Sequence, residues 1–278
     1  MQGKSYNPHA FWEAVLKNNS DLSGVGHPPL GFYNRIAYRF RLRALKRAIK
    51  FAFPSGLPTN SKVFEAGFGV GFYLGYWREL GLTRVTGIDI SDSAVNRAKR
   101  HFPENILRQQ DLSEPFVDES ESFDLVTAID VLYHIVDDAR WEAALVNLCE
   151  LPKKGGFLFI TDKFPDQGAF TAVAHVRRRS REMYEKALTG GGVAILWQGP
   201  VFALMDDPIT KLSMPLFSRF LALQWRLVSK AIRLFGFSPI LRDGVALLLG
   251  STQYPAELAL LKCLNTTPNL EIIVAQKQ

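Results

Sequence analysis

The sequence has few of the cysteines that build disulfide frameworks and zinc sites, and it lacks a long apolar run. Among its 278 residues there are two cysteines, Cys149 and Cys263, which lie far apart. This count argues against a disulfide framework and a zinc site, and is compatible with a reducing cytoplasm. Residues 1–19 lack the apolar block of a secretory signal, and no uninterrupted apolar run is long enough for a membrane-spanning helix. We therefore expect a cytoplasmic protein without a metal site.

Sequence patterns typical of nucleic-acid readers are also missing. The net charge of +6 would suit nucleic acid or an anionic membrane surface. The cations concentrate in residues 35–50 and 175–181 and are sparser in residues 219–233. They are not accompanied by the aromatic and glycine pattern of a single-strand RNA reader or by zinc-finger spacing. We therefore expect no nucleic-acid partner.

The sequence does contain short apolar segments alternating with amphipathic ones. Strands are predicted at residues 62–66, 84–90, 105–111, 123–130, 157–162 and 270–276. Helices are predicted at residues 10–19, 32–53, 71–80, 91–102, 137–150, 177–189 and 209–235. A turn is expected at residues 152–156 and extended chain at residues 193–205. The alternation predicts a mostly parallel sheet with helices on both faces.

Four regions follow from this pattern. Residues 1–58 are predicted to form an N-terminal helical cap, and residues 59–205 a cofactor-binding core. Residues 206–265 are predicted to be a mainly helical insertion, either over the acceptor site or at a dimer contact. Residues 266–278 are predicted to add the final strand of the core.

Three glycines stand at alternate positions between the first predicted strand and its helix. Gly67, Gly69 and Gly71 lie in the stretch VFEAGFGVGFYLGYW, residues 63–77. Because glycine loses more backbone entropy on folding than any other residue, this density indicates that a ligand approaches the bare main chain. A tight strand–helix junction without a ligand is the alternative.

Aspartates end the second and third predicted strands. Asp89 occupies the position from which a carboxylate binds both hydroxyls of a ribose, although it is also placed to cap a helix. Asp111, in QQDL, is placed to accept a hydrogen bond from an adenine amino group or to act as a turn residue. From the residues alone, both alternatives stay open.

In their order, these segments resemble the motifs of the class I S-adenosylmethionine-dependent methyltransferases. EAGFGVG resembles the first motif, GIDIS the acidic ribose-binding end and QQDL the adenine-side motif. FDLVTAIDVLYHI resembles the fourth strand with its loop, and LPKKGGFLFIT the turn before the fifth strand. The resemblance covers residues 60–165. It implies a Rossmann-like, seven-stranded, mostly parallel α/β sheet with a helical N-terminal lid and a helical insertion near the C-terminal sheet edge.

The resemblance also implies S-adenosylmethionine as the cofactor, and a site for it. The expected cofactor-binding residues are Glu65, Gly67, Phe68, Gly69, Gly71, Asp89, Ile90, Asp111, Leu112, Ile129 and Tyr38. Tyr38 lies with Asn34, Arg35 and Arg39 on the second N-terminal helix, which in related enzymes closes over the cofactor. A solvated basic face is the alternative for that helix. Phe68 departs from the family, whose loop often has a small residue there.

Glu65, just ahead of the glycines, helps to choose the class of cofactor. In dehydrogenases the same turn admits a pyrophosphate, which a carboxylate would repel. A carboxylate close to a sulfonium and an ammonium group is electrostatically favourable. Glu65 therefore favours S-adenosylmethionine over NAD.

Methyl transfer to a hydroxyl requires alignment of the acceptor and removal of its proton. His134, in DVLYHI, is the candidate general base, because an ordinary histidine pKa lies near working pH. A structural hydrogen bond beneath the cofactor is the alternative for this histidine. Tyr133 and Trp225 are expected to contact the acceptor, whereas His175 is expected on the surface of a basic helix.

We expect an enzyme that methylates oxygen or nitrogen of a small molecule, such as a secondary metabolite or a sugar-containing compound. One alternative is a lipid or quinone methyltransferase at a membrane surface, because residues 206–265 mix apolar and basic side chains. The same insertion would also suit a homodimer contact. A non-catalytic cofactor-binding scaffold is the alternative from another class.

Overall fold

The computed structural model describes residues 6–22, 25, 31–116, 122–209, 211–235 and 238–278. Its helices are α1 (Pro8–Asn18), α2 (Gly31–Ala52), α3 (Phe72–Glu79), α4 (Asp92–His101), α5 (Asp138–Glu150), α6 (Arg181–Gly190), α7 (Pro215–Leu234) and α8 (Pro239–Cys263). Its strands are β1 (Lys62–Ala66), β2 (Arg84–Asp89), β3 (Ile106–Gln109), β4 (Phe123–Ala128), β5 (Pro152–Asp162), β6 (Ala169–Val173), β7 (Val176–Arg179), β8 (Val193–Pro200) and β9 (Glu271–Lys277). A 3₁₀ turn, Leu132–His134, follows β4.

Seven strands form one sheet in the order β3-β2-β1-β4-β5-β9-β8. Strands β1 to β5 pair in parallel, while β9 lies antiparallel to both β5 and β8. Phe64 faces one apolar core of the sheet and Val63 the other, as expected for a strand covered on both faces. The predicted Rossmann-like α/β fold is confirmed. The strand order reverses between β1 and β4, and ligands of such sheets bind at the carboxyl ends of these strands.

The basic stretch before α6 is a strand, so the helix predicted from residue 177 was wrong at its start. Residues 176–179 form β7, which pairs with β6 in a separate hairpin. Arg177 and Arg179 both bind Asp138, while Arg178 points the other way to Asp162. This alternation of ion pairs holds the chain extended. The helix starts only after Ser180, whose hydroxyl caps the Met183 amide.

Three other predicted boundaries also moved. Strand β5 begins at Pro152, so the predicted turn at residues 152–156 was wrong; a register shift opposite Phe123–Leu125 accommodates this part of the strand. Strand β8 ends at Pro200, where extended chain was predicted to residue 205. Helix α7 begins at Pro215 rather than residue 209, because proline at N1 suits a helix start.

Helices α7 and α8 lie between β8 and β9 in the chain, and α8 packs on the N-terminal helix α2. The rings of Phe40 and Tyr254 lie 4.9 Å apart. A side chain at Gly250 would meet Ile36 at 2.6 Å, so glycine allows the two helices to approach. Within the described ranges, no helix is both long and apolar enough to cross a membrane.

Candidate functional site

A cavity of about 260 Å³, here called the first cavity, lies at the carboxyl ends of β1, β2 and β4. It is lined by eleven of the residues singled out from the sequence: Tyr38, Gly67, Phe68, Gly69, Asp89, Ile90, Asp111, Leu112, Ile129, Tyr133 and His134. Glu65, Gly71 and Trp225 do not line it. Trp225 instead packs near Tyr33, with ring centroids 6.1 Å apart.

Two of the glycines serve different purposes. Gly67 has φ of +70°, and a side chain there would lie 2.5 Å from Val131, so both backbone and packing require glycine. Gly69 has φ of +53°, but a side chain there would meet no atom within 4 Å. Gly69 lines the first cavity, so its bare backbone leaves space for a ligand.

Asp89 ties the glycine loop to the end of β2. Its carboxylate accepts hydrogen bonds from the amides of Gly69 and Ser91, at 2.7 and 2.9 Å. Burial raises the pKa of Asp89 to about 6, against the effect of these two bonds. The helix cap itself is Ser91, whose hydroxyl accepts from Ala94. Asp89 is therefore a buried anion at the cavity wall that is not used to cap α4.

Glu65 lies directly behind the loop rather than on the cavity wall. Its Oε2 accepts a hydrogen bond of 2.7 Å from the Trp77 indole. Its Oε1 is buried and has no hydrogen-bond partner within the described residues. Burial raises the pKa of Glu65 to about 8, and the nearby Asp89 carboxylate contributes to the rise.

Asp111, at the opposite end of the cavity, is held by polar neighbours. It accepts hydrogen bonds from the amide and hydroxyl of Ser113 and forms an ion pair with Arg140. Burial acts to raise its pKa, but these bonds outweigh burial and lower it. Asp111 is therefore an anion at neutral pH, next to the buried side chain of Leu112.

Helix α2 covers the cavity through one face only. Tyr38 packs edge-on against Phe72, with ring centroids 4.8 Å apart. Arg35 and Arg39 are exposed, so they do not contribute to the cavity. Asn34 turns away and donates to the carbonyls of Leu22 and Val25.

Arg41, one turn beyond Tyr38, was missed in the sequence although the i, i+3 spacing places it on the same face. It is buried and paired with Asp130 at the end of β4. Asp130 has φ of +61°, a left-handed backbone that is uncommon outside glycine, and Thr161 donates to its carboxylate. A buried ion pair on a strained strand end thus forms one wall of the cavity.

Tyr73 was also missed. It lies on α3, lines the first cavity, and its buried hydroxyl has no hydrogen-bond partner within the described residues. A buried hydroxyl that lines a cavity without a partner marks a place where a ligand group can complete the bonding.

Helix α1 closes the remaining side through Trp12. Its indole packs edge-on to His134 at 4.6 Å. Glu13 on the same helix accepts hydrogen bonds from Ser91 and Ser93, which pins α1 to the start of α4. No sequence motif predicts this contact, because its partners are about eighty residues apart.

His134 does not have the pKa on which its choice as general base rested. The side chain is packed between Trp12 and His175, and burial lowers its pKa far below 6.5. Its Nδ1 donates to the carbonyl of His175 at 2.9 Å. His175 lies in the β6–β7 turn rather than on the predicted helix; it is partly exposed, and its ring stacks on Phe11 with centroids 4.6 Å apart. These contacts favour the structural role that the sequence left open.

A second cavity, of about 940 Å³, adjoins the first. The residues that line both cavities are Trp12, Val25, Arg41, Tyr133 and His134. The second cavity is lined by residues of α1 and the β6–β7 hairpin, and by Asp206, Asp207, Pro208, Ile209 and Leu212. Its buried cations are already paired, Lys163 with Asp206 and Arg178 with Asp162.

The charges of the first cavity fit a cationic ligand. Four aspartates line it, namely Asp89, Asp111, Asp130 and Asp137, against two arginines, Arg41 and Arg140. Both arginines are paired with aspartates, so neither is available to a pyrophosphate. Together with the unpartnered Glu65 oxygen and the open Gly69 backbone, this donor set suits S-adenosylmethionine.

Comparison with known proteins points to one family. The model of the "Methyltransferase domain" family matches residues 64–160. Ubiquinone biosynthesis O-methyltransferase of Coxiella burnetii is 34% identical over 80 residues, which are 28% of this chain and 33% of that protein. The mitochondrial ubiquinone biosynthesis O-methyltransferase of Homo sapiens is 28% identical over 160 residues, which are 55% of this chain and 40% of that protein. The chain thus spans well under two thirds of these relatives.

Among solved structures, magnesium protoporphyrin IX methyltransferase from Synechocystis, with bound S-adenosylmethionine, superposes with a TM-score of 0.53 at 18% identity. The match covers 71% of this chain and 92% of that one, and at this identity it establishes a shared fold. The family model, by contrast, spans β1 to β5, the strands whose ends and loops build the first cavity. On that ground residues 64–160 of this chain are similar to an S-adenosylmethionine-dependent methyltransferase domain.

Proposed function

We propose that this protein transfers a methyl group from S-adenosylmethionine, bound in the first cavity, to a hydroxyl oxygen of a molecule bound in the second cavity. One observation carries the proposal: Trp12, Val25, Arg41, Tyr133 and His134 line both cavities. A donor and an acceptor bound in cavities that share these residues would be neighbours, and direct transfer requires that the methyl carbon and the acceptor oxygen be aligned in contact with each other.

The cofactor's part is to supply an electrophilic methyl group on a sulfonium; the protein's residues bind and orient it. Asp89 is placed to accept from ribose hydroxyls, and its ionised form is the better acceptor. Asp111 and Leu112 provide a polar and an apolar contact for the adenine end. Glu65, behind the loop, has a pKa raised to about 8 by burial, and a cationic group bound near it would favour its ionised form. Trp12 and Tyr38, on α1 and α2, exclude water from the site.

The weak basicity of His134 bears on which hydroxyl is methylated. A neutral histidine with a strongly lowered pKa removes a proton poorly from an aliphatic alcohol. A phenolic or enolic hydroxyl is far more acidic and relies less on a protein base. Tyr133, whose pKa burial raises well above 10, stays protonated and can donate a hydrogen bond to the acceptor oxygen. We therefore favour a phenolic acceptor over a sugar hydroxyl.

The lining of the second cavity favours an acceptor with a large apolar part. Its apolar members include Phe11, Phe170, Val173, Val176, Ile209 and Leu212. The two curated relatives act in ubiquinone biosynthesis by name, which supports, for this chain, a quinone-like hydroxyaromatic acceptor. We assign no acceptor contact to Trp225, because it lines neither cavity.

The test is incubation with methyl-labelled S-adenosylmethionine and two cell extracts, one of polar metabolites and one of lipids. The proposal expects label in a lipid-extract phenol ether, identified by mass and by its stability to base. Label on an amine or on a sugar would overturn the proposed acceptor. Calorimetry with S-adenosylmethionine serves as the control: binding without any transfer of label would support the non-catalytic scaffold, and absence of binding would refute the cofactor site.

A further inference from the structure

Helix α7 exposes an apolar stripe on the side opposite its packed face. Leu216, Phe220, Leu223 and Leu227 are 57–79% exposed. At 3.6 residues per turn their side chains fall within about 60° of one another. The buried positions Leu221, Val228 and Ile232 lie on the opposite side of the helix. The stripe is therefore not the core-facing side of an ordinary amphipathic helix.

All four cations of α7 stand along one flank of this stripe. The four are exposed, and viewed down the helix axis they lie about 40–100° from Leu216 in one direction. They are Arg219, Arg226, Lys230 and Arg233. Helix α7 contains no aspartate or glutamate. Within the described residues, none of the four forms an ion pair with a carboxylate. An apolar ridge beside an uncompensated row of cations is the pattern of a helix lying in a membrane interface.

We propose that α7 docks the protein on an anionic lipid bilayer, with the leucine–phenylalanine stripe inserted among the acyl chains and the cation row against the headgroups. The charges favour a bilayer over a second copy of the chain. A symmetric dimer through this stripe would bring two rows of cations together without acids on α7 to pair them. Anionic headgroups supply the opposite charge.

The stripe leads to the mouth of the second cavity. Leu212, which lines that cavity and is 73% exposed, lies in the turn just before α7, four residues ahead of Leu216. An amphipathic acceptor dissolved in the bilayer would thus meet the second cavity beside the docked helix. This last step rests on the proposed function, whereas the docking itself does not.

The experiment is flotation of the full chain with vesicles of phosphatidylcholine alone and of phosphatidylcholine with phosphatidylglycerol, without cofactor or acceptor. Binding is expected only to the anionic vesicles and should weaken in high salt. The double variant Leu223→Asn/Leu227→Asn is expected to bind about tenfold or more weakly, since two inserted side chains are lost. The triple variant Arg219→Gln/Arg226→Gln/Lys230→Gln is expected to lose roughly 100-fold.

Each variant has a matched control. Arg35→Gln/Arg39→Gln/Arg43→Gln removes the same charge from the exposed face of α2 and should bind like wild type. Val146→Asn, at a 51% exposed position on α5, controls for the loss of an exposed apolar side chain. Circular dichroism melts establish that each variant is folded.

Three outcomes would overturn the docking: no flotation of the wild type, equal loss in the α2 triple variant, or full binding by the stripe variant. Sedimentation as a dimer that Leu223→Asn/Leu227→Asn dissociates would assign the stripe to self-association instead. Because no methyl transfer is measured, failure of docking is distinguishable from failure of the proposed reaction.

Discussion

The two cavities differ in what builds them and in how their buried charges are balanced. The first is formed by strand ends and a glycine loop, and the acid behind it, Glu65, forms no ion pair within the described residues. The second is formed by side chains from distant segments, and its buried Lys163 and Arg178 are each paired with an aspartate. The unbalanced acid suits a cationic ligand, whereas the balanced cavity suits a largely neutral one. The comparison therefore distinguishes the cofactor side from the acceptor side.

The contrast between an unpaired acid at the first cavity and paired cations at the second is tested most strongly by Glu65→Gln. Glu65 has a pKa near 8 in the folded protein, against 4.5 ordinarily. A raised pKa stabilises the fold fully below pH 4.5, and that contribution is lost as pH rises towards 8. The unfolding free energy of the wild type relative to Glu65→Gln should therefore fall by roughly 3 kcal/mol between pH 5 and 8. Urea denaturation at several pH values measures this.

Asp162→Asn, beside the second cavity, gives the contrasting result. Removing its charge leaves buried Arg178 unpaired, so this variant should be less stable than wild type at pH 7.

For Glu65, the contradicting outcome is an unfolding free energy that depends on pH equally in wild type and in Glu65→Gln. That result would mean that no unbalanced acid lies at the first cavity.

The glycine loop provides the second test. Gly67→Ala should lower the unfolding free energy by about 3 kcal/mol, because the new methyl group meets Val131 on a left-handed backbone. In Gly69→Ala the new methyl group meets no atom within 4 Å, so the unfolding free energy should fall by only about 1 kcal/mol, through backbone strain. Calorimetry should show that Gly69→Ala nevertheless weakens cofactor binding. Equal destabilisation by both changes would remove the distinction between a packing glycine and a ligand-facing one.

The third test concerns Asp89. Asp89→Asn should weaken S-adenosylmethionine binding by roughly 10- to 100-fold, because the charge-assisted hydrogen bonds to the ribose hydroxyls are lost. Because the pKa of Asp89 lies near 6, wild-type affinity should decline as pH falls from 7 to 5. The asparagine variant should show a flat profile over that range, measured by calorimetry. Asp92→Asn, at an exposed position three residues on, is the control and should bind normally.

The smallest effect is expected on the acceptor side. Phe170 lines only the second cavity and is 40% exposed, so Phe170→Ala should leave both the fold and cofactor affinity intact. Label transfer to the acceptor should slow by about fivefold through a higher KM. A change in cofactor affinity instead would mean that the two cavities are not separate binding sites.

The sequence predicts the cofactor side well because the geometry there is local. A loop of alternate glycines, an aspartate ending β2 and the order of strands are all readable in one segment, and the fold they predict was found. Arg41 could have been predicted as a cavity residue, because it follows Tyr38 by three residues on a predicted helix.

The acceptor side was not readable because its residues are brought together only by folding. Trp12, His134 and His175 meet from three distant segments, and burial there, together with the charge of Arg178, lowers the pKa of His134. Three consecutive arginines resembled a helix, yet ion pairs on alternate faces make Arg177 to Arg179 a strand. The lowered pKa of His134 and the strand at Arg177 to Arg179 therefore depend on burial and ion pairing in the fold, which local sequence propensity does not reveal.

The central claim is that the first cavity holds the cationic methyl donor. A crystal structure with S-adenosylhomocysteine tests it most directly. The account predicts density in the first cavity, with ribose hydroxyls bonded to Asp89, the backbone of Gly69 against the ligand and the sulfur directed at the wall shared with the second cavity. An empty first cavity, or a ligand bound only in the second, would contradict it.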